Sequence, residues 1–529
     1  MSHIEIAKQS ARGTLLLFIG NVLSTAIAAA GAIVIARLLG PGPYGIYTLA
    51  LVVPSIFYSF AGIGVNLAVT RYAAYHISKG EPDKARSTTR NAIAFLILMG
   101  AILTVVVYFG GDFMANLLLH RSGLGPYVQL ASLVILGQTL LQGCASAFIG
   151  WNSSGLASVS SVLQASFKLI IASALILAGF GVYGALSGHV VSFLGAGMFA
   201  LVLLYVTKLR GRARDPAGFI GEIREMVKYG APPYVGGVVS GLAGQYVTVI
   251  LAIISANEVV GYYQAALNVT AAITVVSVAI SSSLFASFSS LEGVKADTSL
   301  AFNYAVKYVS FVSVPIVMFL IAGAGVLVQV LYGFNYVAGI PYLQLLALSS
   351  LPIGIGYAVT PNFFNGIGRT KLTMIFLVSG ALVLAILAPL LGSTFALGVP
   401  GLIYAQIISN SSSALIGLYL ASRYLKAKMD LRSSSLILLA SLAALAATRL
   451  IPVAAVPGLV ALGAYLLVFV AVYLTAVPLF RGLGHDDIDR LMIATEGLGA
   501  LHRIVYPVLA YERRILLKTG SKYPTRQEP

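Results

Sequence analysis

Lys168 stands in the string SVLQASFKLIIASAL, twelve residues into an apolar stretch that begins at 156. At 1.5 Å per helical residue this is roughly 18 Å from the start, near the middle of a bilayer. A charge at that depth costs at least ~2.5–3.5 kcal/mol unless it meets water or a partner. No carboxylate lies nearby in sequence, so an anionic ligand is one candidate partner. Snorkelling, or contact with helix-end carbonyls, is the alternative. Arg71, in NLAVTRYAAY near the inner end of a second stretch, is either an anion contact or an interfacial anchor. His189 is either a proton relay or a hydrogen-bonded interior imidazole. Asn21, Asn66, Gln138, Gln142, Gln245 and Asn268 are uncharged polar groups inside apolar stretches. Such groups either line a cleft that hydrogen-bonds sugar hydroxyls or join helices to each other.

The acidic residues narrow the chemistry by their placement. None of the seventeen lies in the middle of an apolar stretch. An ion-coupled exporter of organic cations generally needs a buried carboxylate, so this pattern argues against one. There is no Gly-rich phosphate loop ending in Lys-Ser/Thr and no His/Cys metal cluster, so neither ATP, a metal nor another cofactor is expected. No catalytic residue is expected either. The largest outer loop, about 112–126, has no room for a folded domain that would hold a donor substrate. The single cysteine, Cys144, excludes an intramolecular disulfide and reads as small core filler.

The elements that position these residues follow from composition. Of 529 residues, 58% are hydrophobic and 9% charged, and the mean hydropathy is +0.92. A soluble domain is typically about 25% charged, so lipid is the solvent this chain expects. Apolar spans long enough to cross it read at 13–39, 44–75, 91–111, 127–150, 156–180, 182–207, 229–255, 260–288, 307–331, 341–364, 372–392, 398–421, 433–451 and 456–480. The expected fold is therefore an all-α polytopic membrane protein of about fourteen transmembrane helices. The net charge of +16 sits in short gaps between spans, which does not suit nucleic acid. Gaps on one side hold Lys79, Lys84, Arg86, Arg90, Lys208, Arg210, Arg369, Lys371, Arg423 and Lys426, whereas the other side holds Arg37, Arg121 and Arg449. Cytoplasmic loops carry the excess of Lys and Arg, so a multi-pass protein of the cell (plasma or inner) membrane with both termini cytoplasmic is expected.

The chain also repeats itself. RLLGPGPYGIYTLA begins at Arg37 and IISANEVVGYYQAA at Ile253, an offset of 253 − 37 = 216. PYVQLAS at 126 returns as PYLQLLA at 341, offset 215, and GVYGAL at 181 returns as GVPGLI at 398, offset 217. Collinear matches at one offset indicate duplication. Each copy holds six spans, an even number, so the two are parallel repeats. The expected division is an N-terminal lobe (1–207), a basic cytoplasmic linker (208–228) and a C-terminal lobe (229–421). A basic loop with two further spans (422–480) and a cytoplasmic tail (481–529) follow. The tail, with DDIDRLMIATEGLG and a basic end, fits an interfacial or partner-binding helix, or a solvated extension.

ARLLGPGPYGIYTLALVV (36–53) followed by GIGVNLAVTRYAAYHISKGEPDKAR (62–86) resembles the start of polysaccharide-transport flippases. These belong to the multidrug/oligosaccharidyl-lipid/polysaccharide exporter superfamily. The resemblance covers about 13–480 and implies a six-plus-six helix fold with two extra helices, working by alternating access. It implies translocation of an oligosaccharide on a polyprenyl pyrophosphate carrier from the cytoplasmic to the outer leaflet. Arg71 matches the arginine that commonly closes the family's second helix. Many relatives carry an Asp-Arg pair in the seventh helix, where this chain has Val247 and Thr248, so no ion-coupling role carries over there. The expected partners are an anionic lipid-linked glycan and membrane lipids, with the protein a monomer. A multidrug or cation antiporter, a lipid II-type precursor flippase and a non-transporting scaffold are the alternatives.

Overall fold

The computed structural model describes residues 3–212, 218–292, 298–425, 430–451, 458–496 and 500–518. In hydrocarbon the backbone has no water to bond, so a spanning segment closes its hydrogen bonds internally. The described residues are accordingly helical, with no strand among them. In chain order the helices are α1 (His3–Leu39), α2 (Pro41–Tyr58), α3 (Val65–Ser78), α4 (Pro82–Leu119), α5 (Gly125–Gly150), α6 (Ser154–Phe167), α7 (Gly181–Leu204), α8 (Gly218–Ile254) and α9 (Asn257–Glu292). Then come α10 (Thr298–Ala322), α11 (Ala324–Tyr332), α12 (Ile340–Ser349), α13 (Thr360–Gly366), α14 (Thr370–Pro389), α15 (Gly398–Leu425), α16 (Leu431–Thr448), α17 (Gly458–Leu479), α18 (His485–Glu496) and α19 (Ala500–Lys518).

Ten helical stretches among the described residues are long and apolar enough to cross a membrane. One of them, Ser154–Leu209, covers two expected spans and bends at Gly179, whose φ is 93°. The expected spans 44–75, 260–288 and 398–421 are helical but fall outside the ten. The fold is thus all-helical and multi-pass, while the count of fourteen remains a reading of hydropathy. Side-chain exposure identifies the solvent. On α4, Leu98, Ile102, Val105, Phe109, Phe113 and Leu117 form an exposed stripe at helical spacing. Ile93, Leu96, Thr104, Val107 and Ala115 are buried on the other side. So long an exposed apolar stripe is a liability in water and is ordinary in lipid.

The described chain forms two compact units, Met1–Asn268 with Ala385–Leu402, and Val269–Leu384 with Ile403–Pro529. The core of the first joins Val65 and Ala68 of α3, Ile93 and Leu96 of α4, Leu140, Cys144 and Phe148 of α5, Ala200 of α7 and Met226 of α8. Cys144 is packing, as its neighbours suggest. In the second unit Met318 of α10, Ala440 and Ala444 of α16, and Phe469 and Tyr473 of α17 form the core.

Within the first unit the repeated motif meets its own copy. A Cβ on Gly45 would stand 1.8 Å from the Asn257 carbonyl oxygen, and one on Gly261 would stand 2.0 Å from that of Pro41. The pairs are exchanged by the repeat, since 257 − 41 and 261 − 45 both equal 216. Gly42 faces Glu258, its own counterpart at the same offset. Residue i touching j while j's copy touches i's copy is the property of a two-fold contact. Glycine is required there because the backbones of α2 and α9 touch.

The second expected span, 44–75, is not one continuous helix. α2 ends at Tyr58 and α3 begins at Val65, with Ile63 at φ 42° and Gly64 at φ 81° between them. Gly64 lies backbone to backbone with Gly230 of α8, and a Cβ there would stand 2.2 Å from the Gly230 carbonyl carbon. The hydroxyl of Tyr234 donates to the Ser59 carbonyl that the break releases. Irregular backbone at membrane depth is tolerated where protein supplies such partners.

Candidate functional site

In the first unit, α1, α5, α6 and α7 line an open cavity of about 280 Å³. Its polar lining consists of Ser24 and Thr25 of α1, Gln138 and Gln142 of α5, and Ser161 and Gln164 of α6. All six are uncharged. Gln138 also bonds the hydroxyl of Tyr58, the last residue of α2, so the cavity abuts the helix break. Gln164 Nε2 donates to Ser192 Oγ at 3.1 Å, and Ser192 Oγ donates to the His189 carbonyl at 2.7 Å.

Lys168 lies four residues beyond Gln164, so the two project from neighbouring positions on one helical face. Helix α6 continues there as a wider π-helical turn, Lys168–Ala172. Such turns are rare and concentrate at functional positions. Among the described residues no acidic side chain pairs with Lys168. Its ammonium acts electrostatically on His189, whose Nδ1 lies 2.6 Å from the Tyr47 hydroxyl. The His189 ring stacks on Phe193 at 5.3 Å. Tyr47 in turn stacks on Tyr44, whose hydroxyl accepts from Asn268 Nδ2 at 2.8 Å. Hydrogen bonds and ring stacking therefore link His189, Tyr47, Tyr44 and Asn268 through α7, α2 and α9, with the Lys168 ammonium acting electrostatically on the His189 end.

The other sequence candidates fall elsewhere in the same unit. Asn66 is the second residue of α3, with its Oδ1 buried and without a hydrogen-bond partner. Arg71 stacks its guanidinium over the Tyr229 ring at 4.2 Å and over Tyr72 at 5.9 Å. It shares no partner with Lys168. Beside it a smaller cavity of about 190 Å³ is lined by His76, Lys84, Glu222 and Glu225, among others. There Glu81 accepts from Lys84 at 3.0 Å and lies 3.1 Å from His76, and the Lys84 bond holds its carboxyl below the usual range. Asn21 is exposed on α1, and Gln245 is half-buried in α8 without a hydrogen bond to the other candidates.

Of the nine candidates, Gln138 and Gln142 meet in the cavity, while His189 and Asn268 belong to the linked set, with Lys168 acting on its His189 end. Sequence reasoning missed Ser24, Thr25, Ser161, Gln164, Tyr44 and Tyr47. Gln164 carried a usable signal, its four-residue spacing from Lys168. The hydroxyl residues carried none, because Ser and Thr in a span routinely bond their own preceding turn, as Ser161 does to the Ala157 carbonyl at 3.1 Å.

The sequence profile of the family described as "Polysaccharide biosynthesis protein" matches residues 34–341. No curated protein sequence matches the chain. Among solved structures, the fold is similar to that of the lipid II flippase MurJ in an inward closed conformation. The TM-score is 0.73 at 16% identity, covering 88% of this chain and 99% of that one. It is also similar to an inward-facing multidrug resistance MATE family transporter of the MOP superfamily, with TM-score 0.67 and 17% identity over 76% of this chain and 95% of that one. A MATE structure in the straight conformation aligns at TM-score 0.56 and 18% identity, over 79% and 96%.

Proposed function

Because the chain belongs to the polysaccharide biosynthesis protein family and has the fold of MOP-superfamily transporters, we propose that it flips an anionic lipid-linked oligosaccharide. The carrier is a polyprenyl pyrophosphate, moved from the cytoplasmic to the outer leaflet without covalent chemistry. The observation that carries this reading is an uncharged hydrogen-bonding pocket whose Gln164 lies about one helical turn from Lys168, a cation with no acidic partner among the described residues. Glutamine amides and hydroxyls both donate and accept, which suits the alternating donors and acceptors of a sugar. At about 280 Å³ the cavity sits near the lower end of the ~300–1,000 Å³ typical of ligand sites, so it holds part of a glycan.

Lys168 is the group that matches the pyrophosphate. A half-buried ammonium at membrane depth without a carboxylate pays a desolvation cost that an anionic headgroup reduces. The ammonium is a compact charge that binds phosphate without fixed geometry. Arg71, stacked between two tyrosines near the inner end of α3, is a first contact for the headgroup rather than a second ligand beside Lys168. The polyprenyl tail stays in lipid. The two parallel repeats supply two lobes that exchange access to the site, and a monomer suffices. The charge asymmetry of the loops sets both termini in the cytoplasm.

The test is mass spectrometry of lipids retained through purification. A polyprenyl-pyrophosphate glycan held by the wild type and lost from Lys168→Ala is the expected result. Retention of phospholipid alone by both would overturn the substrate, and gradient-driven efflux of a cationic dye would favour an antiporter instead.

A further inference from the structure

Helix α19 is amphipathic in an unusual sense, since its inner and outer faces differ in charge as well as polarity. Leu509, Glu512 and Leu516 are buried. They join Ile488 of α18 and the end of α17, where Glu512 acts on Tyr473. The opposite face is open. Arg503, Tyr506, Tyr511, Arg514, Leu517 and Lys518 are exposed there and recur at three-, four- and five-residue intervals. That face carries three cations, two tyrosines and no acid among the described side chains.

The acids of this hairpin point elsewhere. Asp487 is buried and pairs with Lys307 of α10 at 2.5 Å, while also accepting from the Gly484 amide at 2.8 Å. Asp489 pairs with Arg513 at 3.4 Å, and Glu512 faces inward. On α18 Asp486 is exposed, and the Asp489 side chain stays 38% exposed within its pair. Arg490 is likewise engaged, over the Tyr304 ring at 4.4 Å. Charge is thus largely sorted: Asp487 and Glu512 are turned to the protein, Asp489 is paired and Asp486 stays exposed on α18, while Arg503, Arg514 and Lys518 of α19 are turned outward.

The depth of α19 says what lies outside. Tyr511 Oη is 2.9 Å from Thr475 Oγ1, and Thr475 is four residues from the end of α17 at Leu479. Four residues of helix span roughly 6 Å. The helix therefore lies against the last turns of a membrane span, at headgroup level rather than in bulk water. Tyrosines and basic residues on an amphipathic helix are what a headgroup layer accommodates.

We propose that the open face of α19 is a docking surface for anionic lipid headgroups, which hold the C-terminal hairpin against the bilayer. The test uses the full-length protein in nanodiscs of phosphatidylcholine, with or without phosphatidylglycerol, and follows amide hydrogen exchange across 500–518. Exchange should slow at least ten-fold with the anionic lipid, and molar salt should remove the gain. The variant R503Q/R514Q/K518Q should exchange like wild type in phosphatidylcholine and show no response to phosphatidylglycerol. Equal exchange of the wild type in both lipids, or an undiminished response in the variant, would overturn the proposal. A soluble partner on this face would produce the first of those outcomes.

Discussion

Replacing Gly45 with alanine tests whether the repeated motif works as a two-fold contact. The added Cβ would stand 1.8 Å from the Asn257 carbonyl oxygen, where real Cβ atoms stay beyond 3.0 Å, so the ends of α2 and α9 must part by 3.0 − 1.8 = 1.2 Å. The obstacle is backbone and cannot swing aside. Overpacking of this kind costs about 1–3 kcal/mol, of which alanine's better helix propensity returns about 0.5–1. Gly261→Ala needs 3.0 − 2.0 = 1.0 Å at the reciprocal position, so its cost should be similar. Both substitutions wedge the same two helix ends. The double variant should therefore cost less than the sum, with a coupling of about 0.5–3 kcal/mol. Gly42→Ala meets only the flexible Glu258 side chain at 3.3 Å and should be near neutral. Denaturant unfolding in detergent micelles, run on all four variants, measures the cycle. Strict additivity, or wild-type stability in either single variant at 45 or 261, would refute the reciprocal contact.

Further consequences concern the hairpin and its anchor. Burial pushes the Glu512 carboxyl up to about 8 from 4.5, so ionising it in the folded state costs roughly 5 kcal/mol more than in the unfolded chain. Because the folded value is the higher one, this group leaves stability untouched below pH 4.5, lowers it as pH rises from there to about 8, and has no further effect above. Hydrogen exchange across α19, corrected for intrinsic rate, should thus accelerate from acid to alkaline pH, and Glu512→Gln should flatten the profile. A profile equally steep in the variant would contradict it. Lys307→Ala strands the buried Asp487 carboxylate and should cost about 3–5 kcal/mol in unfolding, whereas removing both partners should cost less. In the site, Gln164→Leu should weaken glycan retention while lowering stability by no more than about 1.5 kcal/mol, because its amide makes one hydrogen bond, to Ser192. Loss of folding would assign Gln164 to helix joining.

The fold class was legible because lipid imposes a simple rule on the backbone, and long apolar stretches such as 91–111 and 127–150 can satisfy it only as helices. The repeat was legible from Gly45 and Gly261, but the contact between them was not, since a sequence offset carries no distance. The break after Tyr58 was hidden because SFAGIG is apolar enough to extend a hydropathy window; Gly62 and Gly64 were its only markers. Lys168 and His189 stood out by residue type in a span. Their connection through Tyr47 depends on a contact 142 residues apart. Ser24, Thr25 and Ser161 were indistinguishable from hydroxyl residues that merely bond their own helix. Glu512 carried no signal of its burial. Surrounded by Arg513, Arg514 and Lys518, it reads as a solvated charge, and only the packing of α19 on α17 turns it inward.

The central claim is that Lys168 carries the charge of a lipid-linked glycan across the membrane. The direct measurement reconstitutes the protein in vesicles loaded with a fluorescent polyprenyl-pyrophosphate glycan and follows leaflet exchange by quenching. Wild type should exchange the lipid, Lys168→Arg should retain part of the rate, and Lys168→Ala should fall at least ten-fold while remaining folded. An unchanged rate in Lys168→Ala would contradict the assignment, and no exchange by the wild type would contradict the function itself.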